Sequence, residues 1–132
     1  MTPVPVPVVF INCRRIPFLD LIIGRRKPWE TRTRNMLRAL VGQRSYLAET
    51  GNGRPLVRCS AVIGDPLVIR SREDWELYRE ACGIPAGSDY DWHPWTRTKY
   101  LYPLLDVVAC DPFRPPEGIR HGRTWMESIL KY

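Results

Sequence analysis

A chain of 132 residues with 44% apolar side chains and five tryptophans can build one core, and is too short for two; a single domain over residues 1–132 is expected. No apolar run approaches the roughly 18 residues of a membrane span, so the expectation is a soluble, cytoplasmic protein without a membrane partner. The formal charge of +6 is unevenly placed. From Arg14 to Arg44 there are nine Lys or Arg against two acids, Asp20 and Glu30, while the remainder holds eleven against twelve. Charge gathered in this way draws polyanions, as in nucleic-acid binders.

Val8 to Cys13 predicts a strand, entered through a Pro-rich lead whose missing N–H groups suit a sheet edge. Ile16 to Ile23 predicts a short helix, with Ile16, Leu19, Ile22 and Ile23 at three- and four-residue steps. Gly24 stands where a left-handed cap would end it. Trp29 to Arg34 alternates as a strand, setting Glu30, Arg32 and Arg34 on one face and Trp29, Thr31 and Thr33 on the other. Asn35 to Val41 reads as a helical turn stopped by Gly42. Arg44 to Thr50 and Leu56 to Ile63 form a hairpin around Gly51-Asn52-Gly53-Arg54, residues that tolerate positive φ.

Ser71 to Cys82 carries the clearest helix signal: a Ser N-cap, Glu73 and Asp74 in the first turn, Trp75, Tyr78 and Cys82 on one stripe, and Gly83 as terminator. Ile84 to Arg97 is a loop dense in Pro, Gly, Asp and aromatics. Lys99 to Cys110 resumes as a strand broken near Pro103, and an irregular segment, Asp111 to Tyr132, is expected to close the sheet. Short strands with two or three short helices argue an α+β domain, a small mixed β-barrel.

Cys13, Cys59, Cys82 and Cys110 form no C-x-x-C pair, and neither His93 nor His121 lies at metal-ligand spacing from them. They read as small buried thiols in a reducing compartment, with no catalytic role. Neither a metal nor a cofactor is expected.

Gly24, Lys27, Glu30 and Arg32, spaced G-(x)2-K-x-x-E-x-R after a strand and an apolar helix, resemble the opening signature of the ASCH domain. That family belongs to the PUA-like group. The match is most specific over Val8 to Arg34 and continues as order of elements. It implies a small barrel decorated by short helices, with the signature beside a cleft for RNA or a modified nucleobase. The family also holds ribonuclease-like members and amidohydrolases acting on acetylated cytidine. The hydrolases have Lys-x-x-Thr with a nucleophilic Thr; here Glu30 occupies that position, and Pro28 replaces the usual Thr after the Lys, so that chemistry is disfavoured.

The expected function is therefore RNA or modified-nucleotide binding in a basic cleft built around Lys27, Glu30 and Arg32. Lys27, Arg32, Arg34, Lys99 and Arg123 would contact phosphates, guanidinium forks matching phosphate geometry. Glu30 would accept from an exocyclic amine of a base, or act as a general base. Tyr90, Trp92 and Trp95, interleaved with Asp89, Asp91 and His93, either stack on unpaired bases, Trp92 being the binding candidate, or plug a barrel end. The alternative function is a metal-independent endoribonuclease acting on single-stranded RNA in the same cleft. Its candidate groups are Lys27, Glu30, Tyr46 and His121, whose neighbours Arg120 and Arg123 favour the neutral, proton-accepting imidazole. A third reading is a protein-interaction domain whose basic strand docks an acidic partner. RNA against DNA, and oligomeric state, carry no sequence signal.

Overall fold

The computed structural model describes residues 4–119 and 124–127, with side chains over 6–119. Seven strands, β1 (Val4–Asn12), β2 (Trp29–Arg32), β3 (Arg44–Thr50), β4 (Leu56–Ile63), β5 (Leu67–Ile69), β6 (Lys99–Phe113) and β7 (Thr124–Glu127), share one sheet. Among the described residues two α-helices, α1 (Phe18–Ile23) and α2 (Arg72–Tyr78), and one 3-10 turn, Arg38–Leu40, decorate it. The strand order is β2-β6-β4-β3-β1-β7, with β5 also on β6, and β1 runs parallel to β3 while every other pairing is antiparallel. The sheet curls into a half-barrel. This is the expected α+β architecture of a small mixed barrel with short helices. Among the described residues no helix is long and apolar enough to cross a membrane.

The sheet buries both faces, because its strands alternate apolar side chains between two clusters. Val9 and Ile11 of β1, Leu47 of β3 and Cys59, Ala61 and Ile63 of β4 join α1, Trp75 and Leu101 in the larger core. Val6, Val8, Tyr46, Ala48 and Val57 fill a smaller one beneath Phe113 and Ile119. The hairpin strands β3 and β4 have the predicted bounds. Gly51 is at φ 92°, and a Cβ there would meet Asn12 Oδ1 at 2.5 Å.

Three expectations are corrected. The first strand starts at Val4 and not at Val8: Val4 to Pro7 pair with β7 and Val8 to Asn12 with β3, so the prolines are part of the strand, in the stretch paired with β7. Gly24 has φ −75° and is no left-handed cap; that conformation falls one residue later, at Arg25 with φ 59°. Arg26 N donates to Leu21 O and Arg25 N to Ile22 O, the paired closing bonds of a helix end, and they place the left-handed residue by bond geometry, whatever its type. Finally, β2 stops at Arg32, so Arg34 leaves the face shared by Glu30 and Arg32. The strand β5 falls in a stretch with no sequence assignment, its three residues being too short to show a period.

Candidate functional site

A cleft of about 610 Å³ opens between the end of β2 and the loop that joins α2 to β6. One wall is Thr31, Arg32, Thr33, Arg34 and Met36. The other is formed by Asp89, Tyr90 and Asp91, then His93, then Trp95 to Lys99. What fixes the loop is a set of buried polar groups. Asp91 accepts from Trp75 Nε1, Trp92 N and Gly87 N, each at 2.7 Å. Burial alone would raise its pKa, but those hydrogen bonds and Arg79 outweigh burial and hold it at about 2, so the carboxylate is ionised and saturated.

Two buried lysines bind carbonyls, one in the loop and one just before it. Lys99 Nζ donates to Tyr90 O at 2.7 Å and lies 4.5 Å over the Trp75 ring. Burial pushes its pKa down to about 8, against the pull of Asp91. Lys27, 2% exposed, donates to Cys82 O at 2.8 Å and sits 4.8 Å over Phe18. Burial lowers its pKa as well, with the Glu30 charge opposing. Cys82 precedes the loop and Tyr90 lies within it, so Lys27, between α1 and β2, holds the approach to the loop, and Lys99, at the start of β6, holds the loop itself.

Arg32 is fixed from behind. Its Nη2 donates to Glu30 Oε2 at 3.1 Å and to Phe10 O at 3.0 Å, while Glu30 Oε1 accepts from Thr31 N at 3.0 Å. The Arg32 Nε is buried without a partner. On the loop side Asp89 is ion-paired with Arg15. Arg34 and Arg97 are exposed and, among the described residues, neither has a carboxylate partner. The acids at the cleft are thus each committed, while Arg34 and Arg97 have no carboxylate among the described residues, Arg97 Nη1 donating instead to Pro94 O at 3.1 Å and Thr96 O at 3.4 Å.

Of the sequence-predicted residues, the structure brings Arg32, Arg34 and Lys99 to the cleft. Lys27 and Glu30 lie buried in the wall behind it. Trp92, 9% exposed, belongs to the larger core, and Tyr46 packs edge-to-face on Phe113 at 5.1 Å in the smaller one. His121 and Arg123 lie outside the described residues. Sequence reasoning missed Arg97, whose step of two from Lys99 leading into β6 was the available signal, and left open Trp95, which is 73% exposed. Among the described residues no three His, Cys, Asp or Glu side chains gather to hold a metal.

No protein-family model matches the chain, and no curated protein sequence matches it. Solved structures do. ASCH from Zymomonas mobilis is 19% identical with a TM-score of 0.66, over 88% of this chain and 86% of that one. A tyrosine-to-phenylalanine mutant of that protein is 20% identical at TM-score 0.65, over 81% and 73%. A serine-to-alanine mutant of it is 18% identical at TM-score 0.65, over 90% and 85%.

Proposed function

We propose that this chain, which has the PUA-like ASCH fold, binds single-stranded RNA by its phosphates in the cleft between β2 and the loop of residues 84–98. The observation that carries the reading is the excess of positive charge there. Arg32, Arg34, Arg97 and Lys99 line the cleft, while Asp89 is neutralised by Arg15 and Asp91 is saturated by hydrogen bonds. Guanidinium forks bind phosphate oxygens two at a time, and the hydroxyls of Thr31, Thr33, Thr96 and Thr98 on the same walls supply further donors. The resemblance of the Lys27, Glu30 and Arg32 signature to ASCH domains selects RNA from among polyanions. In this reading Glu30 and Lys27 are positioning residues: the first aims Arg32, and the second holds the approach to the loop.

Anisotropy of a labelled single-stranded RNA in EDTA, titrated at several salt concentrations, tests it. Binding should weaken steeply with salt, and Arg34→Ala and Arg97→Ala should each reduce the slope of log K against log salt by about 1. Affinity should also fall, by about fivefold, as pH rises from 7 to 9 and Lys99 loses its charge, a step that Lys99→Gln removes. Absence of binding at low salt, or binding indifferent to salt, would overturn the reading.

A second reading, metal-independent cleavage of RNA in the same cleft, draws on the resemblance to a family with ribonuclease-like members; the one lysine that lines the cleft among the described residues, Lys99, is buried with its Nζ held by Tyr90 O. RNA left intact after long incubation with the pure protein in EDTA would remove it.

A further inference from the structure

The cations account for phosphate affinity and leave one feature of the cleft unused. Trp95 is 73% exposed, whereas Trp75 is fully buried, Trp92 is 9% exposed and Trp29 is packed edge-to-face on Tyr78 at 5.6 Å. An indole left in water forgoes the burial that the others obtain. It is also held in place. Its ring stacks on His93, with centroids 4.7 Å apart and planes within 14°.

His93 is itself pinned. Its backbone N donates to Thr96 Oγ1 at 2.9 Å, Thr96 N donates back to His93 O at 2.9 Å, and its ring Nε2 lies 3.0 Å from Asp89 O. A tight turn with reciprocal bonds thus holds both residues, one face of the indole lying against imidazole, and Trp95 both lines the cleft and is largely exposed.

We infer that Trp95, backed by His93, is a preformed shelf on which one unpaired nucleobase of the bound strand stacks. The inference rests on the phosphate-binding reading above and adds a contact to a base: one that is unpaired, in a single strand or turned out of a helix, because in a duplex interior both faces of each base are already covered. A shelf that is already rigid gives up little side-chain freedom on binding, so more of the stacking free energy appears as affinity. Arg34 and Arg97 on the same walls, free of carboxylate partners among the described residues, favour a base attached to phosphates over an apolar protein partner.

The test compares two ligands that differ only in their bases: a short single-stranded RNA, and the same ribose-phosphate chain with abasic positions. Both are titrated against the wild-type chain, Trp95→Ala, Trp95→Phe and His93→Ala at fixed salt. Wild type should prefer the RNA by about 5- to 150-fold, the range one stacked base supplies. Trp95→Ala should erase that preference, weakening the RNA far more than the abasic chain, Trp95→Phe should keep part of it, and His93→Ala should lose less than Trp95→Ala. The exposed indole contributes little to folding, so unchanged unfolding midpoints separate a lost shelf from a lost fold. A preference that survives Trp95→Ala would overturn the inference. So would wild type binding both ligands equally, an outcome that leaves the phosphate reading standing. Binding of neither ligand would remove both.

Discussion

The β3–β4 hairpin and the loop of residues 84–98 are built by opposite means. The hairpin is held by its ladder and by apolar side chains that alternate between two cores, Leu47, Cys59 and Ala61 on one face and Tyr46, Ala48 and Val57 on the other. The loop has no ladder, and its shape is set by Asp91, Lys99 and Lys27, each buried and each spent on hydrogen bonds to backbone or indole. Apolar patterning fixes a surface in many small increments. A few buried polar bonds fix a loop in large ones, and leave its outward side chains unencumbered for a ligand.

The sharpest break in that comparison is Asp91→Ala, which strands three donors, two of them backbone N–H groups. It should cost about 4 kcal/mol in denaturant unfolding, with amide exchange in residues 84–98 rising before that of the sheet. Leu47→Ala, a similar loss of about 2 to 5 kcal/mol from the hairpin, should accelerate exchange in both regions together. A cost below about 1 kcal/mol for Asp91→Ala would show that the loop is held by something else.

Next in size is an acid dependence carried by the same carboxylate. Its folded pKa of about 2 lies below the ordinary aspartate value of 3.8, so the unfolded chain takes up the proton first. The stability it supplies is complete above about pH 4 and is lost as pH falls toward 2, on the order of 2 kcal/mol in all. Unfolding midpoints should drop through that window, and Asp91→Asn should flatten the drop. A profile of the same steepness in the variant would assign it to other carboxylates.

The smallest expected effect sits at the end of α1, where Arg25 holds a left-handed conformation that the segment after α2 gives to a glycine, Gly83 at φ 72°. Arg25→Gly should stabilise the chain by about 1 kcal/mol, since glycine adopts that backbone without a Cβ clash. A thermal midpoint that falls would mean that the Arg25 side chain, whose Nη2 lies 3.5 Å from Val107 O, contributes more than the strain it imposes.

What the sequence disclosed divides along the same line. Alternation and turn chemistry placed β3, β4 and the Ser71-capped α2, whose Ser71 Oγ accepts from Asp74 N, because those signals are local and periodic. The resemblance carried by Gly24, Lys27, Glu30 and Arg32 led to the right fold. The site was legible only in part. Arg32, Arg34 and Lys99 stood out by charge, but charge does not reveal direction: Lys27 turns inward to Cys82 O, a carbonyl 55 residues away in the chain. The tryptophans of the loop are three residues apart and chemically alike, yet Trp92 enters the core and Trp95 faces the cleft. Which ring turned which way depended on the Asp91 and Thr96 bonds, and these form only once α2 and the loop are together.

The pairing of β1 with β7 has a consequence for the order in which the chain is made. Translation delivers β1 before the other described strands of this sheet, but Val4 to Pro7 find their partner only when residues 124–127 emerge. Until then about half of β1 is an unclaimed edge on a nascent chain. Pro5 and Pro7, which offer no N–H to a passing strand, make that edge a poor template for another chain during the wait.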